Sequence, residues 1–197
     1  MSKRLLLLPC LLLLSALALA ACGSSGGSDE TSKVEETIET AATNTDPADC
    51  SKTQTLHFME QTNSESGKTA QKSCEEEAEN EEGAKSVKIS NVEVDGSDAT
   101  AEVVLAGGNS LEGQTLEVAL VKDGDQWKLN EVVKFTKFDK AKLVESFEGE
   151  IEKSGEASSK FAACFIEAFE EADQGEIEKM LFGGNEKGFE EIAKNCS

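Results

Sequence analysis

The spacing of apolar residues divides the chain into an apolar start, a helical region, a region of strands and a second helical region. From residue 32 to residue 80, apolar side chains recur three or four positions apart, which places them on one face of an α-helix. From residue 87 to residue 135, the period falls to two, as in strands with one buried face. The helical period returns over 139–197, and its clearest stripe consists of Phe161, Cys164, Phe165, Ala168 and Phe169.

Polar residues in the first helical region predict where individual helices begin. Ser32 followed by Glu35 forms a capping-box pattern, and Asp46-Pro47 places a cap before a proline suited to the first helical position. Thr55 is expected to cap a short third helix, and a fourth helix is predicted over residues 69–80. These helices can cover one face of the strands that follow them.

The strand region predicts an antiparallel meander of four strands. Asp95-Gly96 and the stretch from Asp123 to Asp125 mark tight turns between strands. The fourth strand is expected to direct one set of apolar side chains inward, namely Trp127, Leu129, Val133 and Phe135. The predicted fold class is α+β, with N-terminal helices over a four-stranded antiparallel sheet and a small all-helical C-terminal module.

The first 21 residues have the pattern of a removed signal peptide. A basic start at Lys3-Arg4 precedes an apolar run from Leu5 to Ala21, which Pro9 interrupts and no basic stop-transfer residue follows. The alternative is an uncleaved membrane helix, since the run is long enough to span a bilayer. We expect residues 1–21 to be removed.

The end of that run, Leu19-Ala20-Ala21-Cys22, resembles the lipobox of bacterial lipoprotein signal peptides. The resemblance implies cleavage before Cys22 and a lipid on its sulfur, with acyl chains such as palmitate in the membrane. It further implies a protein anchored at the cell membrane and facing outside the cytoplasm, at the cell surface or in the periplasm. The polar stretch that follows, which is rich in Gly and Ser, predicts a flexible tether over residues 22–30.

Charge excludes one class of partner. The net charge of −20 becomes −22 when Lys3 and Arg4 leave with the signal peptide. Nucleic-acid binding requires Lys and Arg to displace the counterions of phosphates, so we do not expect a nucleic-acid partner. Anionic lipid headgroups are repelled for the same reason, and the membrane is expected to hold this protein through Cys22 alone.

Four cysteines remain after Cys10 is removed and Cys22 is lipidated: Cys50, Cys74, Cys164 and Cys196. Four cysteines allow three disulfide pairings, and pairing within each helical region closes the shortest loops. Zinc ligation requires short Cys spacings with neighbouring His, which this sequence lacks, so disulfides are favoured over a metal site.

The helices, the sheet and the segment Asp123-Gly124-Asp125-Gln126-Trp127-Lys128-Leu129 look like small secreted domains of the nuclear transport factor 2-like family. The resemblance covers about residues 31–137 and implies a curved sheet forming a cone with helices. A cysteine near Asp49 paired with one on the third helix, as Cys50 and Cys74 would be, also resembles uncharacterised lipoproteins of this class. Residues 138–197 look like a helical module appended in actinobacterial-type lipoproteins.

The cone implies a pocket between sheet and helices, which Phe58 and Trp127 are candidates to line. Enzymes of this fold place Asp, His or Tyr there, but this chain has no Tyr and one His. His57 is either a general base in the pocket or a surface histidine, and no carboxylate is spaced to orient it. No cofactor is implied.

Two acidic stretches could be mistaken for metal-binding sites, but their residue patterns do not match such sites. Calcium loops alternate acidic or amide side chains around a glycine, whereas the longer stretch is a run of glutamates typical of a solvated helix: Glu75, Glu76, Glu77, Glu79, Glu81 and Glu82. The segment from Asp123 to Asp125 is first a hairpin turn. We therefore predict no metal site.

The sequence leaves three functions open. The first is a non-enzymatic, lipid-anchored extracytoplasmic protein that binds a small apolar ligand or a protein partner. The second is a cone-fold isomerase-like or hydrolase-like enzyme that uses His57. The third is a structural module whose helical tail docks another envelope protein, with the Phe161–Phe169 stripe as a partner groove rather than as core. The first and third are favoured because no catalytic constellation is evident.

Overall fold

The computed structural model describes residues 25–80, 83–107, 111–154, 160–183 and 196. The helices before the sheet are α1 (Ser25–Ala42), α2 (Pro47–Thr53), α3 (Leu56–Asn63) and α4 (Lys68–Asn80). The strands are β1 (Ser86–Asp95), β2 (Asp98–Ala106), β3 (Thr115–Asp123) and β4 (Gln126–Lys137). The helices after the sheet are α5 (Lys140–Ser154), α6 (Lys160–Glu171) and α7 (Gln174–Phe182). The strands form one antiparallel sheet in the order β1-β2-β3-β4, which confirms the α+β class and the meander.

Helix α1 begins earlier than the sequence predicts. Ser32 is inside the helix, where its Oγ donates a hydrogen bond to the carbonyl of Ser28 (3.0 Å), so the predicted cap at Ser32 is wrong. The flexible tether predicted over residues 22–30 is also wrong for residues 25–30, which are helical. Glu30 accepts hydrogen bonds from the sheet, and such tertiary contacts stabilise helical turns that local propensity alone leaves unformed.

The caps predicted for the next two helices are confirmed. The Asp46 side chain accepts a hydrogen bond from the Ala48 N–H (2.9 Å) at the start of α2, and Pro47 is the first residue of that helix. The Thr55 Oγ1 accepts from the Phe58 N–H (3.1 Å) at the start of α3. Short polar side chains at these positions satisfy N–H groups that have no partner within the helix.

Two glycines form the tips of the hairpins. Gly96 (φ +65°) follows β1 and Gly124 (φ +64°) follows β3, and each is the first residue of a two-residue loop. A positive φ at this position suits glycine, which has no Cβ to clash. The Lys122 N–H donates to the carbonyl of Ser97 (2.8 Å), so the two hairpin loops are neighbours at one end of the sheet.

Strand β4 is bent by three bulges. Asn130, Val133 and Thr136 have no partner in β3, because the register shifts by one residue at each place. A bulge re-aims the side chains that follow it. The inward position predicted for Val133 is therefore wrong: Val133 is 38% exposed, whereas Val132 is 5% exposed and belongs to the core.

The outer edge of β4 is bonded by groups from α3 and α7 and by the connection between α2 and α3, where Gln54 forms an isolated parallel bridge with Leu129. The Thr55 N–H donates to the carbonyl of Leu129 (2.8 Å), and the Gln61 amide bonds both backbone groups of Val132. At Phe135, the N–H donates to Glu178 Oε1 (2.8 Å) and the carbonyl accepts from Gln174 Nε2 (3.1 Å). These contacts remove the unpaired backbone groups through which an exposed edge could aggregate.

One hydrophobic core joins the sheet to helices from both ends of the chain. It includes Val34 and Ile38 of α1, the inner face of the sheet, and four residues of the C-terminal helices, Leu143, Val144, Phe169 and Ile177. Phe169 is fully buried, which confirms the core interpretation for that member of the aromatic stripe. The boundary between residues 137 and 138 stays a prediction, and this core extends across it.

The connection from β4 into α5 is held by a fully buried glutamine. The Gln114 Oε1 accepts from the Asp139 N–H (2.8 Å), and its Nε2 donates to the Asp139 carbonyl (2.9 Å). The Asp139 side chain in turn accepts from the Lys142 N–H (3.2 Å) and so caps the start of α5.

Candidate functional site

The two residues predicted to line a pocket, Phe58 and Trp127, lie in different surroundings. Phe58 is half-buried on α3 and packs against the main core. Trp127 is 2% exposed, and its Nε1 donates a hydrogen bond to Glu30 Oε2 (2.9 Å) on α1. Trp127 is therefore a core residue with a satisfied indole N–H, as buried tryptophans usually are.

Glu30 connects α1 to the hairpin between β3 and β4. Its Oε2 accepts from Lys122 Nζ (2.7 Å) as well as from Trp127, and its Oε1 accepts from Lys33 Nζ (3.0 Å). These hydrogen bonds lower the pKa of Glu30 from 4.5 to about 2, and the one from Lys122 has the largest effect. Lys122 Nζ also lies 5.6 Å from the centre of the Trp127 ring, within range of a cation–π contact.

A shallow pocket of about 210 Å³ lies beside this cluster. Its lining is mostly polar and comes from α1, the end of α2 and the β3–β4 turn, with residues Lys33, Glu36, Thr37, Thr40, Lys52, Thr53, Asp125, Gln126 and Trp127. Phe58 is not part of that lining. The pocket is smaller than the range typical of sites for drug-sized ligands.

His57 is exposed on α3. The enzyme hypothesis requires His57 to face a pocket, with a carboxylate positioned to orient it, and the exposed position removes the candidate base.

Within the described ranges, no group of three or more His, Cys, Asp or Glu side chains is arranged to hold a metal ion. Glu76, Glu77 and Glu79 are exposed on α4, as a solvated helix face requires.

A larger cavity of about 540 Å³ lies between α5 and α6, and we refer to it as the α5/α6 groove. It is lined by four apolar residues, which we call the floor, and by four glutamates, which we call the rims: Ile151, Ala162, Ala163 and Ile166, and Glu148 and Glu152 on α5 with Glu167 and Glu170 on α6. All four glutamates are exposed. Lys140 at the start of α5 donates to the carbonyls of Glu170 (2.7 Å) and Ala172 (2.6 Å) near the end of α6, so the two helices run antiparallel.

Sequence reasoning missed this groove, although its signal is present. Glu148 and Glu152 are four residues apart and Glu167 and Glu170 are three apart, which places each pair on one helix face. Nothing in the spacing shows that the two acidic faces flank the same cavity, because that depends on the packing of α5 against α6. The sequence gives no signal for the role of Glu30, because the Gly- and Ser-rich stretch before it predicts a tether.

The predicted disulfide bonding is confirmed. Cys50 is bonded to Cys74 (Cα–Cα 6.2 Å) and Cys164 to Cys196 (Cα–Cα 5.4 Å). The first bridge joins α2 to α4 in a small second core with Met59, Ala70 and Ala78. The signal peptide and the predicted lipid attachment site Cys22 lie outside the described residues, so that attachment stays a prediction.

Among the described helices, none combines the length and the apolar character needed to cross a bilayer. No known protein family, curated protein or solved structure matches this chain.

Proposed function

We propose that this chain is a lipid-anchored protein on the extracytoplasmic side of the cell membrane and that it acts by binding rather than by catalysis. The anchor is Cys22, and the signal peptide pattern before it supports export. The two disulfides support the same compartment, because such bonds persist in oxidising environments outside the cytosol.

The α5/α6 groove is the observation that carries the binding function. It is an open, partly apolar cavity between two helices, and it is lined by four exposed carboxylates. His57 lies on α3, away from its lining. An arrangement of this kind can hold a ligand, but it offers no nucleophile or general base other than exposed glutamates.

Of the two ligand classes, we favour a protein partner over a small apolar molecule. A small apolar ligand requires an enclosed apolar site. Trp127, which was a candidate to line such a site in the cone, is instead buried in the core and hydrogen-bonded to Glu30. The resemblance of residues 31–137 to the nuclear transport factor 2-like cone remains part of the proposal. It is supported by α1, which contacts both β1 and β4, the two edge strands.

The anchor is tested by labelling cells that express the full chain with radioactive palmitate. We expect the wild-type protein to carry the label and to be recovered in the membrane fraction. We expect Cys22→Ser to do neither. Titration of the unfolded, unreduced protein with a thiol reagent should detect no free sulfhydryl. Equal labelling of Cys22→Ser, or free thiols in the unfolded, unreduced protein, would contradict the proposal.

The ligand class is tested by native mass spectrometry of the purified protein after incubation with a total lipid extract. We expect the mass of the protein to stay unchanged, because binding is assigned to a partner protein. A stoichiometric adduct of lipid mass would favour the small-ligand function instead.

A further inference from the structure

We infer that the α5/α6 groove is a docking surface for a basic, amphipathic helical segment of a partner protein. This inference rests on the proposed binding function and specifies the chemistry of the partner. Three properties of the groove carry it: an apolar floor, acidic rims on both sides, and a length that follows two antiparallel helices.

The floor selects for an apolar stripe. Ala162 is buried, Ile151 and Ile166 are half-buried and Ala163 is exposed, so the groove presents hydrocarbon that is partly accessible to water. The lining on α6 runs from Ala162 to Glu170, a rise of about 12 Å along the helix axis. An amphipathic helix that lies in such a groove places anchors at i, i+3, i+4 and i+7, which cover a similar length.

The rims select for positive charge. In the described part of the chain, none of the four rim carboxylates forms an ion pair. Like charges that line one cavity repel, and cations placed among them relieve that repulsion. A helix with Lys or Arg on both sides of its apolar stripe supplies such cations at matching positions.

Other occupants fit the same charges less well. A second copy of this chain has a large negative charge of its own, and anionic lipid headgroups meet the same repulsion. Residues 184–195 of this chain include three glutamates and two lysines, so this stretch supplies no excess of cations.

The test uses a fluorescent Leu/Lys amphipathic helical peptide of about 14 residues and measures its anisotropy with the mature protein. We expect saturable binding. A peptide with the same composition but a scrambled apolar pattern should bind about tenfold more weakly, because its apolar residues no longer form one stripe. An otherwise identical peptide with Glu in place of Lys should not bind.

The groove is tested with two variants of equal charge change. The groove variant combines four substitutions: Glu148→Gln, Glu152→Gln, Glu167→Gln and Glu170→Gln. The control variant neutralises four exposed glutamates elsewhere: Glu35→Gln, Glu39→Gln, Glu79→Gln and Glu93→Gln. We expect the groove variant to lose about tenfold or more in affinity and the control variant about twofold, since only the former removes contacts with the peptide.

Equal losses in the two variants would show that the peptide responds only to overall charge, and would overturn the inference. The absence of saturable binding, or a dimer in sedimentation that the groove substitutions dissociate, would also overturn it. A groove variant with all four glutamates changed to Lys should bind the acidic peptide instead, which separates loss of charge recognition from loss of folding. Palmitate labelling at Cys22 does not depend on the α5/α6 groove. A failure of peptide binding is therefore distinguishable from a failure of the proposed anchor.

Discussion

The side-chain amide of Gln61 hydrogen-bonds to both backbone groups of Val132, although the two residues are 71 positions apart. Gln61 Oε1 accepts from the Val132 N–H (2.7 Å), and Nε2 donates to the Val132 carbonyl (3.0 Å) and also to the carbonyl of Phe182 (2.7 Å). One buried side chain thereby ties α3, the bent edge strand β4 and the end of α7 together.

Replacing this glutamine is therefore expected to destabilise the protein. Gln61→Ala leaves buried backbone groups without partners, and we expect the free energy of unfolding to fall by about 2–4 kcal/mol. The measurement is urea denaturation followed by the fluorescence of Trp127, the one tryptophan of the chain. Gln126→Ala, at an exposed position, is the control and should change the free energy by less than about 0.5 kcal/mol. Equal effects would argue against the hydrogen bonds at Val132.

A second prediction separates two adjacent valines of β4. Val132→Ala removes two buried methyl groups and should cost about 2 kcal/mol of unfolding free energy. Val133→Ala, one position further along at a bulge, should change it by less than about 0.5 kcal/mol. Denaturation of the two variants under the same conditions measures the difference, and the reverse order would show that β4 has the regular alternation expected from the sequence.

The pKa of Glu30 predicts how its contribution to stability changes with pH. In the folded protein the hydrogen bonds from Lys122, Lys33 and Trp127 lower this pKa to about 2, from the usual 4.5. Unfolding therefore takes up a proton between these values, and the stabilisation by Glu30 is fully present above about pH 4.5 and is lost as the pH falls toward 2.

Denaturation of Glu30→Gln and of the wild type at a series of pH values checks this dependence. We expect the wild type to be more stable above pH 4.5 and the difference to shrink between pH 4.5 and 2. Glu35→Gln, at an exposed position of the same helix, is the control and should parallel the wild type throughout. A difference that is constant with pH would contradict the assignment to the Glu30 carboxylate.

The disulfide between Cys50 and Cys74 closes a loop with a sequence separation of 24. The double variant Cys50→Ala/Cys74→Ala should lower the free energy of unfolding by about 3–4 kcal/mol, because the unfolded chain regains conformational freedom. Urea denaturation of the oxidised wild type and the double variant measures this loss. A wild-type protein whose stability does not change on reduction would show that the bridge contributes nothing.

The early start of α1 predicts which end of the protein faces the membrane. Ser25 lies within about 11 Å of Cys22, because three residues cannot extend further. Glu30 joins α1 to Lys122 and Trp127 beside the hairpin loops, whereas the carbonyl of Ala42 at the other end of α1 accepts from the Ala84 N–H. A lipid at Cys22 would therefore hold the end of the sheet with the hairpin loops near the bilayer.

This orientation is measured by energy transfer from a single donor dye to acceptor-labelled lipids, with the lipidated protein in phosphatidylcholine vesicles. A donor on Ser97→Cys, in the β1–β2 loop, should transfer more efficiently than one on Glu112→Cys, beyond the opposite end of the sheet. The nine residues of β2 separate the two ends by about 30 Å. Equal or reversed efficiencies would contradict the orientation.

Much of the local structure followed from residue patterns because it depends on neighbours in sequence. The caps at Asp46, Thr55 and Asp139 satisfy N–H groups within the same helical turn, and the glycine turns need only a residue that tolerates a positive φ. The period of two located all four strands because one face of the sheet is buried.

The features that the sequence did not reveal depend on groups far apart in the chain. The helical start at Ser25 requires contacts between Glu30 and β3–β4, and the inward position of Val132 requires bulges that appear only when β4 is aligned with β3. The α5/α6 groove forms where two helices pack together, and this packing brings glutamates from both helices to one cavity. The class of fold, the strands and the caps at Asp46 and Thr55 follow from the residue pattern alone, since hydrophobic period and capping are local. The edge contacts and the groove arise only on folding, since both depend on which distant side chains packing brings together.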